Sequence, residues 1–224
     1  MLSLSFRGFV NATGGGIDEG LPRAIEASLA CLGLAAASPI LLLAAGLVAA
    51  SSPGPVLFRQ QRAGLGGRPF TLLKLRTMKV APEGSQLTAS GDARITPVGR
   101  WLRRFKLDEI PQLWNVVRGD MSLVGPRPEV PRYVDAGDPR WQQVLSARPG
   151  LTDPVTLRLR DEESLLARAA DPEGFYRERL LPWKLRGYCE YLEARSWASD
   201  LGVLGATVLS VLRVRRAPLP EIEP

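Results

Sequence analysis

Hydrophobic and polar positions are spread unevenly along this chain. Between Glu26 and Arg59 there is no charged residue. About 24 of these positions, Ala27 to Ala50, predict a helix roughly 36 Å long, enough to cross a hydrocarbon core of ~30 Å. Ser38-Pro39 interrupts the run at its centre. Pro39 has no N–H, so the carbonyl of Ala35 loses its helical partner, which is costly in lipid. The Ser38 hydroxyl can reach back to the carbonyl of Leu34 and offset part of that disruption. A break at mid-depth predicts a helix that enters a membrane, bends and leaves on the same side. A kinked spanning helix stays open. A cleaved signal peptide fits poorly: the run exceeds an apolar region of ~7–15 residues and starts after some two dozen mixed residues. Arg23 precedes the run, and Arg59, Arg62, Arg68, Lys74 and Arg76 follow it. Positive charge on both flanks fits both ends staying cytoplasmic.

The remaining pattern alternates short elements. Residues 1–20 are Gly-rich and read as a loosely ordered leader. SSPGP at 51–55 is a turn. VLFRQ and FTLLKLRTM read as two short strands separated by AGLGGRP, and 80–93 as a mobile polar loop. Thr96-Pro97 caps a helix with Val98, Trp101, Leu102 and Phe105 on one side and Arg100, Arg103 and Arg104 on the other. Such a helix either lies in a bilayer interface or packs on the core. Pro111 is tolerated only in a first turn, so the next helix begins near Leu107 to Glu109. GDMSLVGPRPE, 119–129, predicts a turn, a short strand and a rigid corner. Residues 139–147 predict a short helix closed by RPG, and the chain is helical from Asp161. The last apolar run, 197–212, either packs on the domain or touches the membrane. The predicted fold is α+β and mainly helical. A re-entrant, broken membrane helix (21–55) joins a compact cytosolic domain (56–212) with a small β-hairpin and interfacial amphipathic helices. A basic, Pro-rich tail (213–224) follows.

Charge and composition narrow the chemistry. The chain has 224 residues, 29 Lys and Arg against 23 Asp and Glu, and a pI near 9.8. After the membrane run this suits one domain with one core. Cys31 lies in the apolar run, so Cys31 and Cys189 do not suggest a disulfide framework. There is no histidine. That excludes Ser/His/Asp triads, Cys/His dyads and histidine-ligated zinc. Carboxylates, Lys, Arg, Tyr or a hard metal such as Mg²⁺ remain.

Asp108-Glu109 is the adjacent carboxylate pair of interest. At a helix start, free N–H groups and the dipole attract anions. Arg100, Arg103, Arg104 and Lys106 precede the pair, and carboxylates beside cations keep a low pKa. An ionised carboxylate can bind Mg²⁺ or attack phosphorus. A plain helix N-cap is the competing reading. Arg127, between two prolines, suits a phosphate clamp or a structural ion pair. Lys74 and Arg76 share one strand face and could meet phosphates or solvent. No nucleic-acid module accompanies the basic charge, and anionic lipid explains it equally well.

With these residues in place, the chain resembles the bacterial sugar transferases, specifically the small monotopic polyprenyl-phosphate phosphoglycosyl transferases. The resemblance covers roughly 21–212. It is carried by the Ser38-Pro39 run, PGPVLFRQQRAG, FTLLKLRTM, RITPVGRWLRRFKLDEIPQLWNV, GDMSLVGPRPE and RPGLT. It implies transfer of a sugar-1-phosphate from a UDP-sugar to undecaprenyl phosphate with release of UMP, initiating a membrane-linked glycan such as an exopolysaccharide, O-antigen, capsule or glycoprotein glycan. It further implies Asp108 as nucleophile, forming an aspartyl-phosphosugar, and Glu109 as its dyad partner. The resemblance also implies Mg²⁺ beside Asp108, and Arg103 and Arg127 as phosphate contacts. Ser38-Pro39 matches the break that makes the membrane helix re-enter. The implied place is the inner membrane, with the catalytic domain on its cytoplasmic face and membrane lipids as partners. After RPGLT the chain departs from the common pattern: Asp153 replaces a glycine, and Arg160 falls at the spacing of a motif arginine. That segment bears on the donor sugar. Small residues at 35–37 and 44–46 permit helix packing within the chain or a homodimer. A catalytically silent lipid- or nucleotide-binding membrane module is the alternative reading.

Overall fold

The computed structural model describes residues 20–79, 87–88, 90–159, 162–211 and 222. The expectations for 1–19, most of the 80–93 loop, Arg160 and most of the tail lie outside the described residues.

One helix, α1, runs from Arg23 to Ser51 with Pro39 inside it. The hydrogen-bonded helix continues through the proline rather than dividing into two. The Ser38 hydroxyl donates to the carbonyl of Ala35 at 2.8 Å, not to that of Leu34. This is the carbonyl that Pro39 leaves without a partner. α1 is long and apolar enough to cross a membrane. Leu42 is 74% exposed and Leu43 64%, so its outer face offers lipid a large apolar surface.

Both ends of α1 are tied to the same domain. At the start, Arg23 donates to the carbonyls of Val116 and Val117 (the latter at 3.1 Å), and Glu26 accepts from Leu123 N at 2.9 Å and Ser122 Oγ at 3.2 Å. At the other end, Arg76 donates to the carbonyls of Pro55 (2.5 Å), Ser52 (2.6 Å) and Val48 (3.3 Å). Helix ends leave carbonyls without partners, and a guanidinium can satisfy several at once. Ala44 and Val48 also pack with Leu75 and Leu102.

The predicted hairpin forms. β1 (Leu57–Ala63) and β2 (Pro69–Leu75) pair antiparallel, with Phe58 opposite Lys74. α2 (Pro97–Arg104) is capped by Thr96, which accepts from Gly99 N at 2.9 Å. A Cβ on Gly99 would sit 2.0 Å from the carbonyl oxygen of Thr77, so only glycine lets α2 approach this closely. The apolar face expected on α2 divides: Leu102 is fully buried, whereas Trp101 is 47% exposed. A 3₁₀ turn at Leu107–Glu109 leads into α3 (Gln112–Arg118). β3 (Ser122–Val124) then pairs in parallel with β4 (Gly150–Thr152), a strand the sequence pattern did not indicate. A Cβ on Gly150 would lie 2.1 Å from the nitrogen of Gly125, and one on Gly125 would lie 2.6 Å from the carbonyl oxygen of Arg148, so both positions need glycine. α4 (Pro139–Leu145) lies near the expected 139–147.

The remaining helices are α5 (Pro154–Arg158), α6 (Glu162–Leu166), α7 (Pro172–Phe175), α8 (Leu181–Glu193) and α9 (Trp197–Val211). A π turn at Tyr176–Leu180 joins α7 to α8. Their main cluster gathers Trp141, Val155, Leu165, Tyr176, Leu180 and Leu185. A second cluster joins Ala30 of α1 to Leu72, Val116, Met121, Tyr191 and Val203. Asp200, fully buried, fastens these parts together. It accepts from Leu21 N, Tyr191 Oη and Arg195, and Arg195 also donates to the carbonyl of Val124 at 2.8 Å.

Removing one partner of such a buried pair leaves the other charge uncompensated. Asp200→Ala is expected to destabilise the detergent-solubilised protein by about 3–5 kcal/mol in denaturant unfolding. A loss under about 1 kcal/mol, the scale of an exposed pair, would mean that Asp200 does not join α9 to the start of α1.

Candidate active site

The site begins with a backbone turn. Lys106 adopts left-handed geometry, φ 57°. That ends α2 and costs about 1–2 kcal/mol in a residue with a Cβ. The chain then re-enters helical geometry at once, so Asp108 and Glu109 fall in the 3₁₀ turn that precedes α3. Asn115 docks α3 on the edge of β2: its Oδ1 accepts from Leu73 N at 3.1 Å and its Nδ2 donates to the carbonyl of Thr71 at 2.8 Å. A side chain thereby satisfies free edge groups and sets Lys74 opposite the carboxylates.

The two carboxylates differ sharply. Glu109 is clamped. Lys74 Nζ lies 3.1 Å from its Oε1, and Arg127 approaches it with Nη2 at 2.5 Å from Oε1 and Nη1 at 3.5 Å from Oε2. Asp108 is buried, and its Oδ1 has no hydrogen-bond partner among the described residues. Burial alone pushes the Glu109 carboxyl up, but Arg127, Lys74 and Lys106 together outweigh it and hold it well below the usual range. Asp108 moves the other way. Burial and then the Glu109 charge raise it, against Lys74, Lys106 and Arg103. The expectation that both carboxylates keep a low pKa therefore holds for Glu109 and fails for Asp108. Lys74 and Arg127 are engaged with Glu109, and Asp108 is left desolvated. Burial also pulls Lys74 down, against the charge of Glu109. The plain N-cap reading fails as well, because α3 has no side-chain cap and Pro111 occupies that position.

The other expected residues separate. Arg127, in the Pro-Arg-Pro corner, and Lys74 meet at Glu109. Arg103 acts on the Asp108 charge and pairs with Glu163 at 3.0 Å. Arg76 does not join them. It is buried against the end of α1, because the strand ends at Leu75 and the next side chain turns to the helix carbonyls. Ser38 and Pro39 stay exposed in α1, and Arg160 lies outside the described residues. Asp153, fully buried, caps α5 by accepting from Thr156 N at 2.8 Å.

A buried network that the sequence pattern did not indicate holds the far end of the corner. Tyr176 donates to Glu129, Arg62 lies 3.5 Å from Glu129, and Lys184 reaches Glu162 at 3.3 Å. Glu129 was visible in GPRPE, but nothing local marks Lys184 or Tyr176 as its neighbours. A shallow indentation of about 10 Å³, room for roughly one water, lies beside the corner and is lined by Gly64, Arg127, Trp141, Leu145 and Pro149.

A family model of bacterial sugar transferases matches residues 17–214, nearly the whole chain. This chain is a bacterial sugar transferase family member. Among curated relatives, it is 41% identical over 201 residues to a UDP-glucose:undecaprenyl-phosphate glucose-1-phosphate transferase of Caulobacter vibrioides, covering 87% of this chain and 71% of that protein. It is 36% identical to the exopolysaccharide production protein ExoY of Sinorhizobium fredii, over 70% of this chain and 75% of that one. It is 40% identical to a UDP-N-acetylgalactosamine-undecaprenyl-phosphate N-acetylgalactosaminephosphotransferase of Aeromonas hydrophila, over 59% of this chain but only 32% of that longer protein. The site of this sugar transferase family member thus comes from three stretches far apart in sequence: β2, the 3₁₀ turn and the proline corner.

Arg127→Met, Glu109→Gln and the double variant form a cycle that reads the clamp directly. A coupling of about 1–3 kcal/mol in unfolding free energy is expected for groups in this contact. A value near zero would show that Glu109 does not depend on Arg127.

Proposed function

We propose that this chain transfers a sugar-1-phosphate from a UDP-sugar to undecaprenyl phosphate, releasing UMP and initiating a polysaccharide. One observation carries the assignment of roles: Glu109 is immobilised by two cations while Asp108, beside it, keeps a buried oxygen without a partner among the described residues. The names of the relatives supply the substrate class.

In this reading an Asp108 oxygen attacks the β-phosphorus of the UDP-sugar. The bond from phosphorus to the bridging oxygen breaks, and UMP leaves with the electron pair. An oxygen of undecaprenyl phosphate then attacks the same phosphorus, and the Asp108 carboxylate is released. A covalent step lets a water-soluble donor and a lipid acceptor use one site in turn. Phosphoryl transfer needs mainly positioning and charge neutralisation, so the absence of histidine is no obstacle. Arg103 and Arg127 offer charge to the phosphates.

The residues fit Mg²⁺ as a cofactor. Among the described residues no three Asp, Glu or Cys side chains form an all-protein cage. Mg²⁺ usually binds through one or two carboxylates plus substrate phosphates, and the unpartnered oxygen of Asp108 suits that role. Bound there, Mg²⁺ would neutralise charge on the diphosphate.

We read α1 as a re-entrant helix in the inner membrane with the catalytic domain on the cytoplasmic face; its attachment supports the re-entry. Arg23 and Glu26 at one end, and Val48 and Ser52 at the other, bond to the same domain. A straight spanning helix would carry one of those ends away from it.

Three outcomes follow. UMP release from a panel of UDP-sugars with undecaprenyl phosphate and Mg²⁺ is expected for the unaltered protein and absent in folded, membrane-bound Asp108→Asn. Normal turnover by that variant would remove Asp108 from the mechanism. EDTA should abolish release and added Mg²⁺ restore it; persistence in EDTA would argue against the metal. A single cysteine placed before residue 20 should be labelled only from the cytoplasmic side, and become labelled from outside when Ser38-Pro39 is replaced by Ala-Leu. Unchanged labelling in that variant would count against the break as the cause of re-entry.

A further inference from the structure

Gln112 is 1% exposed. Ile110 and Pro111 both have right-handed helical backbone, so the 3₁₀ turn and α3 form one nearly continuous helical path. Positions 108, 112 and 115 then fall on one face. That face is turned to β2, because Asn115 bonds to Leu73 and Thr71 there, and Lys74 of the same strand acts on Asp108. A helical side chain leans back over the turn that precedes it, which carries Gln112 toward Asp108. An Asp and a Gln four residues apart are within bonding reach on a helix. Here they do not bond. Gln112 Nε2 and Asp108 Oδ1 are both buried with no partner among the described residues.

A buried amide donor without an acceptor is unfavourable. A Met would fill similar space without that penalty. One orphaned atom is a donor and the other an acceptor, a turn apart, on a face bordered by Lys74 and Arg103. A bound group that offers an anionic oxygen to the amide and an electrophilic centre to the carboxylate would satisfy both. A phosphoryl group has both features.

We propose that Gln112 is a further catalytic residue, its Nε2–H donating to a non-bridging oxygen of the phosphoryl group that Asp108 attacks. The assignment rests on the proposed function. During transfer the Asp108–phosphorus bond forms and the bond to the UMP oxygen breaks with its electron pair. Gln112 keeps its proton and stabilises negative charge on the equatorial oxygen, in the manner of an oxyanion-hole donor.

Gln112→Met removes the donor and keeps the volume. In the full-length, membrane-embedded protein, kcat/KM for UMP release should fall on the order of 10²-fold, the usual effect of deleting one such donor. The melting temperature should hold or rise. Gln112→Glu, whose ionised carboxylate only accepts, should lose at least as much. Turnover by Gln112→Met within about threefold of the unaltered protein would overturn the proposal, since a lost donor costs far more. A loss that tracks a lowered melting temperature in both variants would overturn it too, making Gln112 a packing residue. If the unaltered protein releases no UMP from any donor, the reading of function fails separately, and UDP binding then decides. Binding weakened about tenfold in Gln112→Met, near 1.4 kcal/mol, supports the phosphoryl contact, and equal binding overturns it.

Discussion

Glu109 is a largely buried carboxylate held between Lys74 and Arg127, and the three come from parts of the chain that share no local structure. A buried charge is tolerated only when its partners are in place. The ion cluster therefore ties the hairpin, the 3₁₀ turn and the proline corner to one another. It also creates the asymmetry of the site. With Lys74 and Arg127 drawn to Glu109, Asp108 sits beside it desolvated, its Oδ1 without a partner among the described residues and its pKa raised by burial and by its neighbour.

The same logic, in which cations meet carbonyls and carboxylates at element ends, fastens the apolar helix. Arg23 serves the carbonyls at the end of α3, and Arg76 serves those at the end of α1. Asp200 and Arg195 then lock the start of α1 to α9 and β3. The apolar helix and the rest of the domain are thus joined at two places. The tight approaches at Gly99 and Gly150 belong to the same frame: one sets α2 against Thr77, and the other sets β4 against Gly125, just before the proline corner.

Much of the fold was legible in the sequence. VLFRQ and FTLLKLRTM, parted by AGLGGRP, marked the hairpin, Thr96-Pro97 marked α2, and Pro111 marked a helix start beside the dyad. These are local signals, set by backbone sterics and side-chain period. β4 escaped because a three-residue strand, Gly-Leu-Thr, carries too little pattern. On a strand Lys74 and Arg76 looked equivalent, yet one serves the dyad and the other the end of α1.

The sequence by itself determined the apolar run with its proline, the order of the motifs and, through them, the family. Each is written in neighbouring residues. Only the tertiary structure decided which carboxylate is clamped and which is bare, where Arg76 goes, and that both ends of α1 bond to one domain. Those outcomes depend on burial and on ion pairs between residues tens of positions apart. No local period or cap encodes them, because desolvation and charge pairing exist only once the distant partners have been brought together.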